Sequence, residues 1–355
     1  MKLSVCLIVK NEEPVLGRCL SCVAQIADEL IVVDTGSTDR SVEIARGYTD
    51  KVYIHPWQNS FAEARNYSYS KATCDYVMWI DADDVIDEEN IRRFNRMRET
   101  LSEDIDVVFT LYGSIPEDGI GSYILRDRII KRSLGGVWQC VVHEGIPMEP
   151  SWKFLYETDI TIFHKKEYVN EPVRNMALFD RYIDAGNTLN NFEKSNLCKE
   201  LVIAEQYERA YELFKEIKNV TDNSTYYYGL YFVALGLIHA GKYEECISEV
   251  DELDSRMPTT ACLVYLKGFC MEKLNRIEEA KECYFRAMTI EEDPTTLYIQ
   301  RTGYTDYFPM LRLAYIAAKE RKRDEAFEYI RKASERYPKN NAWKEMRIQL
   351  LLMVG

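Results

Sequence analysis

The first hundred residues alternate between continuous apolar runs and segments with helical spacing. Leu3 to Val9 is uninterrupted by charge, as a strand buried on both faces requires. Pro14 then stands where a helix can begin, and Val15, Leu16, Cys19, Leu20 and Val23 repeat at helical intervals. Leu30–Val33 predicts a second buried strand, closed by Asp34-Thr35-Gly36-Ser37-Thr38-Asp39, a turn that leads into a helix around Val42 to Arg46. Lys51 to His55 predicts a third strand, Phe61 to Lys71 a helix, and Asp75 to Ile80 a fourth strand running directly into Asp81. Asp87 is placed to cap the following helix, with Asn90 three positions on. This strand–helix alternation predicts an α/β fold with a parallel sheet covered by helices.

Beyond residue 104 the pattern changes. Runs at Val107–Tyr112, Ser122–Lys131, Val137–Val142 and Thr158–Phe163 read as strands of a mixed second half of the same domain. From about Glu171 the pattern becomes helical, and it repeats. Gln206-Tyr207-Glu208-Arg209-Ala210 has counterparts ending at Cys246, Ala280 and Ala326, which lie 36, 34 and 46 positions apart. A period near 34 belongs to paired-helix tetratricopeptide-like repeats, and the longer last interval predicts an insertion over Asp293 to Thr305. Residues 1–168 are therefore expected to form one domain and residues 169–355 an all-α repeat domain.

Composition narrows the function classes. The chain has 355 residues, enough for two ordinary cores, and no apolar stretch long enough to span a bilayer. Leu3–Val9 is too short for a leader peptide and meets Lys10-Asn11-Glu12-Glu13 at once, so a cytoplasmic location is expected. A net charge of −13 argues against a nucleic-acid binder, which needs a basic face. It leaves room for a nucleoside diphosphate, whose charge one metal ion neutralises locally. The ten cysteines fall in apolar and helical stretches, as free thiols do; Cys19 and Cys22 have the spacing of half a zinc site without a second pair.

Candidate chemistry collects at the strand ends. In parallel sheets ligands bind beyond the carboxyl ends of strands. Lys10-Asn11-Glu12, Asp34-Thr35-Gly36 and Asp81-Ala82-Asp83-Asp84 all fall there. Paired carboxylates after a buried strand are natural ligands for hard divalent cations, which bridge phosphates. The competing structural role is a helix cap supplied by Asp84 or Asp87. His55 and His239 stand outside any motif and read as structural. Arg126 and Arg128 either neutralise phosphate or form a solvated strand edge.

Taken in order, Ser4–Glu13, Ile31–Asp39 and Trp79–Asp84 resemble the motifs of family-2 glycosyltransferases of the GT-A type, over about residues 1–165. Trp57, Phe61, Ala64-Arg65-Asn66 and Trp138…His143-Glu144 further resemble a bacterial subgroup in which this domain precedes tetratricopeptide repeats. That subgroup glycosylates bacteriocins or flagellin. The resemblance implies a nucleotide-sugar pocket of Val9, Asn11, Glu12, Asp34, Arg65, Asp81 and Ala82. It implies Mn2+ or Mg2+ held by Asp83 and by a histidine, His164 in preference to His143. Glu144 becomes the candidate base, although the Asp-rich base motif of many relatives is missing. With no Gln-x-x-Arg-Trp pattern, one sugar per encounter is expected. The donor implied is a UDP-sugar, GlcNAc or Glc, and the acceptor a protein or peptide such as flagellin Ser/Thr, docked on the repeats. Three readings compete: a saccharide or lipid-linked acceptor with the repeats forming a homodimer, a non-catalytic scaffold, and a nucleotidyltransferase, which would need a Gly- and Arg-rich phosphate loop.

Overall fold

The computed structural model describes residues 1–114, 119–165, 173–219, 223–293, 295 and 300–354. The chain divides into two compact units. One holds residues 1–114, 124–193 and 295–297; the other holds residues 115–123, 194–294 and 298–355. The boundary expected at residues 168 and 169 falls outside the described residues.

The first unit is built on one sheet. Its strands are β1 (Leu3–Val9), β2 (Glu29–Asp34), β3 (Val52–Ile54), β4 (Tyr76–Trp79), β5 (Asp84–Val85), β6 (Val107–Ser114), β7 (Ser122–Lys131) and β8 (Phe154–His164), in the spatial order β3-β2-β1-β4-β7-β6-β8-β5. β3, β2, β1 and β4 are parallel, as the alternation predicts. β7 pairs antiparallel to β4, and β5 antiparallel to β8, so the second half is mixed. The helices are α1 (Glu13–Val23), α2 (Ser41–Arg46), α3 (Phe61–Tyr69), α4 (Glu88–Thr100) and α5 (Val173–Asp184).

Strand alternation decides which helix covers which face. Leu3, Val5, Leu7, Leu30 and Val32 pack with Leu16, Cys19, Leu20 and Val23 of α1 and Phe94 and Met97 of α4. Cys6, Ile31, Val33 and Val77 point the other way, against Tyr67 and Tyr69 of α3. Glu29 clamps the opposite end of the sheet from the polar turns. Its carboxylate is bonded by Ser4 and Lys51 and accepts from the Thr73 backbone and hydroxyl, both at 2.8 Å. Burial alone would raise that carboxyl, but these donors hold it down at about 2.

One predicted strand does not form. Val137–Val142 contributes only a bridge between Gln139 and Gly145. Cys140 and His143 take left-handed backbone angles, φ 73° and 56°, which curl the segment into a loop.

The second unit is a stack of helix pairs: α6 (Asn191–Ile203) with α7 (Tyr207–Ile217), α8 (Asn223–His239) with α9 (Tyr243–Arg256), α10 (Ala261–Lys273) with α11 (Ile277–Ala287), and α12 (Tyr307–Lys319) with α13 (Arg323–Arg336), followed by α14 (Ala342–Val354). α6 starts in the first unit and its residues from Lys194 onward belong to the second. Each leading helix ends in the same way. Glu205, Gly241, Asn275 and Arg321 take left-handed angles, and the next residue's N–H reaches back five residues at 2.8 Å, from Gln206 to Leu201, Lys242 to Leu237, Arg276 to Met271 and Lys322 to Ala317. This is the Schellman arrangement, which satisfies the last helical carbonyls and turns the chain into the trailing helix. The small residues that revealed the period are all in the interface: Ala210 is 1 % exposed and Cys246, Ala280 and Ala326 are fully buried. Of the insertion expected over residues 293–305, the described part includes a two-residue strand β9 (Gln300–Arg301), paired with Tyr123 and Ser122. All ten cysteines are free.

Candidate metal and donor site

The polar turns beyond β1 and β2 are stitched together. Asp34, the last residue of β2, is buried; its Oδ1 accepts from the Gly36 and Ser37 backbones at 3.0 Å each. Gly36, at φ 113°, makes that tight turn possible. Asn11 takes φ 54° at the end of β1, donates its N–H to Ser37 Oγ at 2.9 Å and accepts from Thr38 N at 2.8 Å. The Glu12 N–H donates to Ser41 Oγ at 2.8 Å. Val9 lies deeper, with its carbonyl taken by the Thr35 backbone at 2.8 Å. The other oxygen of Asp34, Oδ2, is buried without a hydrogen-bond partner among the described residues. A carboxylate oxygen kept out of water and unpaired is costly unless a ligand's N–H meets it.

The carboxylate cluster follows β4. Ile80 and Ala82 are buried, and the turn closes on itself, with Asp84 N donating to Asp81 O and Asp81 N donating to Asp84 Oδ2, both at 3.1 Å. The antiparallel pairing of β5 with β8 sets Asp84 opposite His164. That register, across 80 residues of sequence, brings the histidine to the cluster. His164 Nδ1 lies 3.2 Å from Asp84 Oδ1, 3.4 Å from Asp83 Oδ1 and 2.8 Å from the Tyr112 hydroxyl on β6. Asp83, Asp84 and His164 each offer a ligand atom within 4.8 Å of the others, a group able to hold a metal ion. Two carboxylates and an imidazole are a donor set for a divalent cation. Burial alone would lower the imidazole pKa, but the hydrogen bond to Asp84 and the charges of Asp83, Asp84 and Asp81 raise it. His143 is not part of this group; it sits half-buried on the 139–145 loop.

Asp84 does not cap α4. Asp87 does, through Asn90 N at 2.9 Å. Asp84 is instead fully buried and faces the fully buried Arg128 at 3.3 Å. Arg128 is therefore no solvated edge charge. Its guanidinium lies 3.7 Å from the Trp79 ring and 4.2 Å from the Tyr112 ring. Arg128 and Tyr112 thus hold Asp84 and His164 in place from beneath, as partners behind metal ligands commonly do.

Arg65, on the buried face of α3, joins the cluster to the opposite wall. Its Nη2 donates to Asp81 Oδ1 at 2.7 Å and its Nε to Glu144 Oε1 at 2.6 Å. The guanidinium is 4.7 Å from the Trp79 ring and 5.1 Å from that of Trp138. Burial would raise the Asp81 carboxyl, yet Arg65 and Arg128 outweigh it and hold Asp81 ionised. Asn66, the next residue, fixes the far loop by bonding both the N–H and the carbonyl of Trp138, at 2.8 and 3.0 Å. Three residues singled out separately along the sequence, Arg65, Asp81 and Glu144, thus form one ion-paired chain. Trp138 also borders a cleft of about 580 Å³ along the outer face of α3, lined by Asn59, Glu63, Tyr67, Gln139 and Tyr182 among others. His55 stacks on Tyr67 and bonds Glu63 at 2.8 Å, and His239 stacks on Tyr207.

Sequence reasoning missed Tyr112 and the buried side of Arg128. Alternation in Arg126-Asp127-Arg128 puts both arginines on one face of the strand and Asp127 on the other, but does not say which face is buried, and nothing in the sequence ties β6 to His164.

Residues 4–147 match the glycosyl transferase family 2. A TPR repeat-containing protein of Synechococcus elongatus is 31% identical over 160 residues, 43% of this chain and 39% of the relative. An uncharacterized glycosyltransferase of Rickettsia conorii is 42% identical over 137 residues, 37% of this chain and 42% of the relative. The SPbeta prophage-derived glycosyltransferase SunS of Bacillus subtilis is 25% identical over 306 residues, 80% of this chain and 71% of the relative. The matches to the Synechococcus and Rickettsia proteins thus span less than half of those relatives' length. Among solved structures, glucosyl-3-phosphoglycerate synthase of Mycobacterium tuberculosis with Mn2+, UDP-glucose and phosphoglyceric acid shares 27% identity over 31% of this chain and 44% of that one, with a TM-score of 0.27.

Proposed function

With residues 4–147 a family-2 glycosyltransferase domain, we propose that the chain transfers one sugar from a UDP-sugar, GlcNAc or Glc, to a protein or peptide hydroxyl, such as a flagellin Ser or Thr. The observation that carries this reading is the Asp83–Asp84–His164 group at the carboxyl end of the sheet, beside the stitched turns that hold Asp34. A divalent ion bound there would supply charge stabilisation to the departing diphosphate.

The chain's own residues do the rest. The unpaired Oδ2 of Asp34 meets the N–H edge of the base, with Asn11 and Glu12 at the rim of the same pocket. Arg65 keeps Asp81 ionised and in place. Glu144, oriented by the same guanidinium, takes the acceptor proton as the hydroxyl attacks the anomeric carbon from the side opposite the leaving group. Pairing with Arg65 fixes the orientation of the Glu144 carboxylate. No helix among the described residues is long and apolar enough to cross a membrane.

The test is donor turnover: UDP release from UDP-GlcNAc and UDP-Glc with Mn2+, alone and with Ser/Thr peptides. Activity with a peptide, lost in Asp83→Asn, is the expected result. No turnover of any donor, or turnover indifferent to Asp83, rejects the reading. Glu144→Gln then asks about the base; an unchanged rate would move that role elsewhere.

A further inference from the structure

Three guanidiniums converge on one indole. Trp79, the last residue of β4, is 3 % exposed, and its Nε1 donates to the Asp127 carbonyl on β7 at 2.6 Å. Arg128 lies 3.7 Å from the centre of that ring system, Arg65 4.7 Å and Arg126 5.4 Å. A guanidinium over an aromatic face is held there by the ring's quadrupole and gives up water on that side.

The three differ in what they meet next. Arg65 is engaged by Asp81 and Glu144, and Arg128 by Asp84. Arg126 is half-buried, and among the described residues no carboxylate lies within ion-pair reach of it. Asp127, the next residue, lies on the opposite face of the strand, and its Oδ2 is buried without a hydrogen-bond partner. Arg126 therefore keeps its charge and a fork of N–H donors, whose geometry matches a carboxylate.

Position says which molecule brings the anion. β7 runs antiparallel to β4, and Met78 faces Ile129 in the last ladder pair. Arg126 falls three residues beyond that pair, toward the carboxyl end of β4, where the Asp81–Asp84 turn begins. It stands two residues, about 7 Å, closer to that end than Arg128. The turns that hold Asn11 and Asp34 follow β1 and β2, on the other side of β4 from β7. The nucleoside end of a donor thus lies away from Arg126. Glu144 lies toward it, because the guanidinium that orients Glu144 rests on the same indole.

We propose that Arg126 selects the acceptor by charge, receiving a carboxylate that the acceptor carries beside the hydroxyl to be glycosylated. Forked N–H···O bonds to that carboxylate would hold the hydroxyl toward Glu144. The guanidinium is half withdrawn from water and already oriented by the ring, so the contact gains more than a pair on the open surface. An acceptor with a lysine at the same place meets like charge and is rejected. Assigning the carboxylate to an acceptor rests on the transferase reading above; the carboxylate site itself does not.

The experiment uses the full chain with Mn2+ and UDP-GlcNAc or UDP-Glc. The acceptors are three peptides in which Ser is flanked by Glu, by Gln or by Lys. UDP release gives kcat and KM, and calorimetry gives the affinity for each peptide without donor and for UDP with Mn2+. The Glu-flanked peptide is expected to have the lowest KM, with a preference that shrinks as salt rises. Arg126→Gln should raise that KM by at least about tenfold, to the level of the Gln-flanked peptide, and leave UDP affinity unchanged. Arg126→Lys should retain part of the preference. Arg126→Glu should turn it toward the Lys-flanked peptide, an inversion that lost packing on Trp79 does not produce. Equal KM for the Glu- and Gln-flanked peptides in the unaltered chain would overturn the proposal. So would a preference that survives Arg126→Glu with the melting temperature unchanged. A fall in UDP affinity in Arg126→Gln would also overturn it, by assigning Arg126 to the diphosphate. Where no donor is turned over, the transferase reading fails and calorimetry decides the rest. Tighter binding of the Glu-flanked peptide that inverts in Arg126→Glu keeps the carboxylate site, and equal binding of all three peptides removes it.

Discussion

At the scale of single residues, the site is part legible and part hidden. Asp34 and Asp81 could be placed because each follows a run of apolar residues, with Asp83 two positions further on, and a strand's end is where a buried sheet releases its chain. Asp84, Tyr112 and Arg128 could not, because their roles depend on how β5 pairs with β8 and how β6 lies beside it. Arg128 illustrates the cost of what stays hidden. Its guanidinium and the carboxylate of Asp84 are both fully buried, so each needs the other. Arg128→Met takes the only guanidinium that faces the fully buried Asp84 among the described residues, and a loss of about 3–5 kcal/mol in urea unfolding is expected. Adding Asp84→Asn should recover a large part of that loss, because the double change removes both charges. A single-variant loss below about 1 kcal/mol would show that the pair is solvated after all.

Secondary-structure elements were the most legible level, and the exceptions have local causes. The parallel half of the sheet follows from apolar runs, while Val137–Val142 fails as a strand because Cys140 and His143 turn left-handed. The helix pairs were visible through small residues at their interface, yet the Schellman ends were not, since only Gly241 of the four left-handed residues is a glycine. Arg321 is exposed at φ 63°, where an L side chain is strained. Arg321→Gly should stabilise the protein by about 0.5–1 kcal/mol, read as a higher melting temperature. A lower one would mean that the arginine side chain contributes more than its backbone angle costs. At the other end of the sheet, Glu29 ties β1, β2 and β3 to the turn before β4. Its carboxyl is held at about 2 against an ordinary 4.5. A depressed carboxyl contributes stability above its unfolded value, and that contribution is lost as pH falls through the folded one. Unfolding free energy should therefore drop between about pH 4.5 and 2 by up to roughly 3 kcal/mol from this group, and Glu29→Gln should flatten that part of the profile. An identical acid profile in the variant would assign the loss to other carboxylates.

For the whole molecule, donor and acceptor make separable demands. The first unit concentrates Asp81, Asp83, Asp84 and Glu144 around two buried arginines, an acidic site that a divalent ion completes. The second is an array of helix pairs whose most acidic member is α9. If the metal group serves the donor and Arg126 the acceptor, each can be removed without the other. Chelating divalent ions should abolish UDP release, and Mn2+ should restore it, while the calorimetric affinity for the Glu-flanked peptide stays the same throughout. Asp83→Asn should do likewise, except that Mn2+ no longer rescues, because a ligand rather than the ion is missing. Arg126→Gln should raise KM for the Glu-flanked peptide by about tenfold or more and leave the affinity for UDP unchanged, since the diphosphate is held by the ion. A fall in UDP affinity in that variant would contradict the division of labour, because Arg126 would then be shaping the donor site itself. A peptide affinity that vanished with the metal would contradict it from the other side, by making the ion part of acceptor recognition.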